Sequence, residues 1–99
     1  MDVKKVINGL QFEWDENKEK INIRKHGISF DEAALVFFDD MRTERYDAKH
    51  SVNEDRLTII GRANGILFVV FTEREENTMR IISARPATKK EKGEYYAKF

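Results

Sequence analysis

The chain of 99 residues is 40% hydrophobic and 36% charged, carries 18 basic against 18 acidic side chains, and contains no cysteine. This is the length of one domain, with too many apolar residues for wholesale disorder, and the missing cysteine excludes disulfides and thiolate metal sites. The longest apolar run, Ile66 to Phe71, is too short to span a membrane and no secretory signal follows the N-terminal lysines, so the expected location is the cytoplasm.

In chain order, residues 1–9 carry no strong pattern and read either as an N-terminal extension or, with Val6 to Glu13, as one edge strand. The first firm element opens at Asp15, an N-cap residue, with Glu16 and Glu19 in the first turn and Arg24, Lys25 and His26 in the last. Gly27 takes the position after the helix, so every end signal predicts a helix from about Asp15 to His26. Its only apolar residues, Ile21 and Ile23, predict a narrow contact with the rest of the domain. Ser29 and Glu32 form a capping box for a second helix. Phe30, Ala33, Ala34, Phe37 and Phe38 recur at helical spacing as its buried face, and Asp39-Asp40 ends it.

From Met41 the period becomes two. Met41 to Asp47 is a charged strand suited to a sheet edge, and Ala48 to Glu54 is loop. Arg56 to Arg62 and Ile66 to Glu73 flank Ala63-Asn64-Gly65, and Asn-Gly between two apolar runs predicts a hairpin. Ile66 to Phe71 is apolar on both faces, which predicts a central strand. Past a polar turn at Arg74 to Asn77, Met79 to Ala84 is a further strand with Arg80 and Ile81 on opposite faces, and Pro86 stops it. Thr88 and Glu91 box a last helix, with Lys92, Tyr95, Tyr96 and Phe99 along one side. No repeat or linker divides residues 1–99. They read as one α+β domain, a small antiparallel sheet with two N-terminal helices and one C-terminal helix.

The chemistry-bearing candidates follow from what is missing. There is no glycine-rich phosphate loop, HExxH or G-x-S-x-G motif, and His26 and His50 lie in different elements without carboxylates at ligand spacing. No metal site and no cofactor is expected, and Asp39-Asp40 fits a helix ending in solvent better than a cation site. Charge is uneven: residues 31–76 hold 11 acidic and 6 basic side chains, whereas residues 77–99 hold 6 basic and 2 acidic. Arginines recur at strand ends: Arg56, Arg74, Arg80 and Arg85. A guanidinium is a planar fork that grips phosphate through paired hydrogen bonds and stays charged, so four of them suggest a shared phosphate site. The same arginines also fit ordinary pairing with Glu73, Glu75 and Glu76. His26, at a helix C-terminus, suits either proton transfer or capping of the last carbonyls, and Tyr95 and Tyr96 suit packing or stacking on bases.

Trp14-Asp15, Asn17, Asn22, Lys25-His26-Gly27, Phe30, Ala33 and Phe37 stand in the order found in the BrnT-like toxin family. Arg56, Gly61, Thr72-Glu73-Arg74, Arg80-Ile81-Ile82-Ser83-Ala84-Arg85, Ala87, Glu91 and Tyr95 continue the pattern, so the chain resembles that family over roughly Phe12 to Tyr96. Residues 1–9 look like an extension before the usual family start. The resemblance implies a RelE-like fold and the toxin half of a bacterial type II toxin–antitoxin pair. It implies a ribonuclease that arrests translation and growth. Its partner would be a BrnA-like antitoxin, whose ribbon-helix-helix part binds operator DNA while the remainder covers the toxin.

RNA cleavage without a metal uses the 2′-hydroxyl beside the scissile phosphate as nucleophile, so a site must move protons and stabilise added charge on the phosphorane. The expected roles are phosphate clamping for Arg74, Arg80 and Arg85 with Arg56 in support, proton transfer for His26, and charge stabilisation for Lys25. Lys89, Lys90 and Lys92 would steer RNA in a salt-sensitive way. The rival expectation is a non-catalytic partner-binding module or corepressor in a toxin–antitoxin-like complex.

Overall fold

Alternation along β-strands decides this architecture, because each strand sends every second residue to a helix-covered core. The computed structural model describes residues 1–99. Its strands are β1 (Asp2–Ile7), β2 (Leu10–Asp15), β3 (Thr43–Tyr46), β4 (Leu57–Ala63), β5 (Gly65–Arg74) and β6 (Thr78–Pro86). Its helices are α1 (Glu16–His26), α2 (Phe30–Ala34) and α3 (Lys89–Tyr96). The strands form one sheet in the order β1-β2-β6-β5-β4-β3, antiparallel throughout except for β2 beside β6. The α+β class expected from the sequence is observed. No helix is long and apolar enough to cross a membrane.

The N-terminal residues depart from the single edge strand read over Val6 to Glu13. Residues 2–7 are a strand, and Leu10–Asp15 is an interior strand rather than an edge. The turn between them is Asn8-Gly9, both at positive φ (47° and 84°), the two-residue geometry that matches strand twist. The signal read at Asn64-Gly65 was therefore present a second time. Parallel pairing of Gln11, Phe12 and Glu13 with Thr78, Met79 and Arg80 then carries the two ends of the chain into one sheet.

One face of the sheet holds the main core: Phe12, Trp14, Ile59, Leu67, Val69, Phe71, Ile81 and Ala84, closed by Ile28, Phe30, Ala33, Ala34, Val36 and Phe37. Edge-to-face ring pairs, Phe12 with Phe37 at 5.1 Å and Phe37 with Phe71 at 4.8 Å, lock its centre. The second helix is shorter than its apolar spacing suggests. α2 tightens after one turn into a 3₁₀ segment, Leu35–Phe38, that presses on β4 at Gly61. A Cβ at Gly61 would meet the Val36 Cβ at 2.9 Å, so only glycine allows this approach.

α1 contacts the sheet differently from the expected Ile21 and Ile23, both of which are exposed. The buried residue is Asn22. Its amide donates to the carbonyls of Ile28 (3.0 Å) and Ala84 (2.8 Å) and accepts from the Ala84 N–H (3.1 Å). β6 outruns β2 beyond Arg80, so one edge of its second half has no strand partner. Asn22 satisfies that edge, and a buried backbone group left unpaired is costly.

Candidate active site

The opposite sheet face is only partly covered. α3 lies over one end, where Tyr95 packs with Ile60, Ile66 and Ala87, and Phe68 packs against that group. Asp39, just after the 3₁₀ segment, fastens α3 there. Its Oδ2 accepts from the Tyr95 hydroxyl (2.6 Å) and the Arg62 N–H (2.8 Å), and its Oδ1 from the Met41 N–H (2.9 Å). Burial alone would raise the Asp39 pKa, but these donors together hold it below the usual carboxylate value. Burial and the Asp39 contact push the Tyr95 phenol up. The Arg62 guanidinium donates to the Tyr96 hydroxyl at 3.1 Å, and Phe99, past the helix end, rests on both tyrosines.

Register places the arginines on this same face. Arg80 pairs with Thr72, Arg85 with Phe68, and Arg74 with Thr78, while their neighbours Ile81, Ala84 and Phe71 point into the core. A bulge between these rows, where β6 carries one residue more than β5, keeps Arg80 and Arg85 on one side although they are five positions apart. Leu57 pairs with Phe71, so Arg56, one residue earlier, stands level with Thr72 and Arg80. The rows of Arg80 and Arg85 lie four β5 residues apart, about 13 Å along the strands. The arginines thus form two seats on one face rather than a single clamp.

Each seat is held by carboxylates. The Arg80 Nη1 donates to Glu13 Oε2 (2.6 Å) and Asp2 Oδ2 (3.1 Å), and its Nη2 to Asp2 Oδ1 (3.0 Å). The Arg85 Nη1 donates to Glu91 Oε1 (2.8 Å) and the Pro86 carbonyl (3.2 Å), and its Nη2 to Glu91 Oε2 (2.9 Å). The Arg85 guanidinium also lies 4.2 Å from the centre of the Phe68 ring. These bonds raise both arginine pKa values, lower Asp2 through Arg80, and lower Glu91 through Arg85. A guanidinium has five N–H groups. In both arginines the end-on pair is taken, and Nε–H with the second Nη2–H, the side-on fork, has no protein acceptor. That fork matches two oxygens of a phosphate.

The pairing partners differ from those the sequence suggested. Asp2, Glu13, Glu91 and, for Arg74, Glu54 at 3.0 Å do the work assigned to Glu73, Glu75 and Glu76. Thr72 is buried beside Arg80 with its hydroxyl unpaired. Lys25 and His26 are exposed at the end of α1, away from the Arg80 seat. Asn22, one turn before His26, bonds to the backbone of Ala84, whose side chain faces the core while that of Arg85 faces the other side, and no hydrogen bond or ion pair joins Lys25 or His26 to an arginine. Lys89, Lys90 and Lys92 are exposed on α3. No three His, Asp or Glu side chains gather in a metal-holding group. Sequence reasoning assigned no site role to Glu13, Asp2 or Phe68, because nothing in local spacing links them to an arginine up to 78 positions away.

The fold and this face define a small α+β protein whose open sheet surface carries oriented arginines. A family model described as the ribonuclease toxin BrnT of type II toxin–antitoxin systems matches residues 14–91. The chain is also similar to the crystal structure of the Brucella abortus ribonuclease toxin BrnT, at 33% identity and a TM-score of 0.57, covering 77% of this chain and 94% of that chain. No curated protein sequence matches. The chain belongs to the BrnT family of ribonuclease toxins. The family match starts at Trp14, so β1 and most of β2 precede it.

Proposed function

We propose that this chain is a type II toxin that cleaves RNA without a metal ion, stops translation and growth from within the cytoplasm, and is neutralised by a BrnA-like antitoxin. The antitoxin's ribbon-helix-helix part would carry any contact with operator DNA. The observation that carries the reading is the pair of unoccupied side-on forks, fixed in direction on one sheet face by carboxylates already bound to their other side. An arginine so held loses little side-chain freedom when phosphate arrives, which makes it an effective electrostatic stabiliser.

In this mechanism the 2′-hydroxyl attacks the adjacent phosphorus, its proton leaves, and the 5′-oxygen departs with a proton, giving a 2′,3′-cyclic phosphate and a free 5′-hydroxyl. Arg85 takes the scissile phosphate, because its half of β6 is the half that α1 braces, and α1 supplies His26 for proton transfer and Lys25 for charge. Arg80, Arg74 and the unpaired Arg56 hold neighbouring phosphates, and Lys89, Lys90 and Lys92 draw the strand in. Purified Arg85→Ala is expected to cleave RNA on the order of 10²–10³-fold more slowly, and His26→Ala to be slower by about 10²-fold or more. Parent-like rates in both variants overturn the assignment. Expression of the chain alone should arrest growth with loss of RNA, reversed by the product of the adjacent gene.

The pairing of Arg74, Arg80 and Arg85 with carboxylates of the chain also fits a second reading, a non-catalytic corepressor whose arginines serve structure and partner contact. An unchanged RNA pool during expression favours that reading.

A further inference from the structure

A recess of about 200 Å³ opens on the arginine face between β3, β4, β5 and α3. It adjoins the Arg85 seat, since Phe68 and Glu91, the two side chains that hold Arg85, are also part of its wall. Ile60 and Phe68 form an apolar floor. Thr43, which pairs with Ile60 across β3 and β4, closes one side, with its hydroxyl shut off from solvent. Arg45 and Glu94 face each other across the wall at 3.4 Å, an open pair that supplies one donor and one acceptor, with Lys90 beside them.

The volume is below the 300–1,000 Å³ or so of whole small-molecule sites, so it suits a single flat ring rather than a complete nucleotide. An aromatic, apolar floor with donors and acceptors around it is the kind of surrounding in which proteins read an unstacked base. A phosphate on the free fork of Arg85 would lie one residue pair from this opening. We infer that the recess is a base-reading subsite, which takes the nucleobase next to the phosphate held by Arg85 and gives the cleavage its sequence preference. This inference rests on the ribonuclease reading for its purpose, but not for its test.

The test has two arms. In the first, the amide NMR spectrum of the intact chain is followed during titration with each of the four ribonucleoside 3′-monophosphates and with ribose phosphate lacking a base. One or two of the nucleotides should shift Thr43, Thr88 and Lys90, and base-free ribose phosphate should not. Glu94→Ala should weaken that binding by about 2- to 10-fold, the worth of one hydrogen bond. Arg45→Ala, on an exposed edge strand, gives a second variant that does not depend on the core. In the second arm, cleavage sites in a mixed-sequence RNA are mapped for the parent and both variants. A bias toward the same base, flattened in the variants, supports the subsite. Cleavage without base bias, together with no nucleotide shifts at Thr43 and Lys90, removes it and leaves the ribonuclease reading intact. Base-dependent shifts in a protein that cuts no RNA keep the subsite and remove the enzyme.

Discussion

The two faces of this sheet are built from the same strands and have opposite tasks. On one, Phe12, Trp14, Val69, Phe71 and Ile81 are fully buried among helix side chains. On the other, Arg80, Arg85, Glu13 and Glu91 keep between 17% and 36% of their side-chain surface exposed and satisfy one another through charged hydrogen bonds. The difference teaches that stability and chemistry are separated here by a period of two along the chain. Apolar burial is non-directional and tolerates no water, while arginine forks need defined acceptors on one side and open space on the other.

That separation breaks down if substitutions on the two faces cost the same. Phe71→Ala is expected to lower unfolding free energy by about 3–5 kcal/mol, read from urea denaturation. Arg74→Ala removes only an exposed pair with Glu54 and should cost no more than about 1 kcal/mol. Equal losses would show that the polar face carries the fold.

Asn22 is the point at which the two faces communicate, since it ties the helix side to the strand that bears Arg85. Asn22→Leu should destabilise by roughly 1–3 kcal/mol by leaving the Ala84 backbone groups unpaired. Hydrogen exchange should accelerate at the Ala84 amide while that of Val69, in the centre of the sheet, changes less. Uniform acceleration across the sheet would deny Asn22 this local role.

The gentlest probe is pH. Asp39 and Glu91 titrate below ordinary carboxylates in the folded chain, so the unfolded chain takes up their protons first as pH falls. Their contribution is complete above the unfolded carboxylate value of about 4 and is lost progressively below it. Asp39→Asn should therefore lower stability at neutral pH and flatten the acid limb of a stability-against-pH curve. A parallel curve, displaced but equally steep, would place the acid sensitivity elsewhere.

How much of this was legible is best seen residue by residue. The α1 ends were readable because Asp15, Glu16, Glu19, Arg24 to His26 and Gly27 all act within one turn of the helix terminus, and the cap forms as read, with Asp15 accepting from Asn17 and Lys18. The β4–β5 hairpin was readable because alternation and Asn64-Gly65 are local. Arg80 opposite Ile81 was readable for the same reason. The first hairpin carried an equally local signal in Asn8-Gly9, but Asp2 to Ile7 alternate weakly because Lys4, Lys5 and Val6 are all exposed on an edge strand.

The sequence by itself determined the ends of α1, the β4–β5 hairpin, the core face that begins at Phe30, and the family to which the pattern belongs, because caps, turns and periodicity act over a few residues. Only the tertiary structure decided that β2 lies parallel to β6, that Asp2 and Glu13 hold Arg80 while Glu91 holds Arg85, and that the arginines occupy two seats on one face. Those outcomes depend on strand order and register, which bring together groups tens of residues apart and which local preference does not encode.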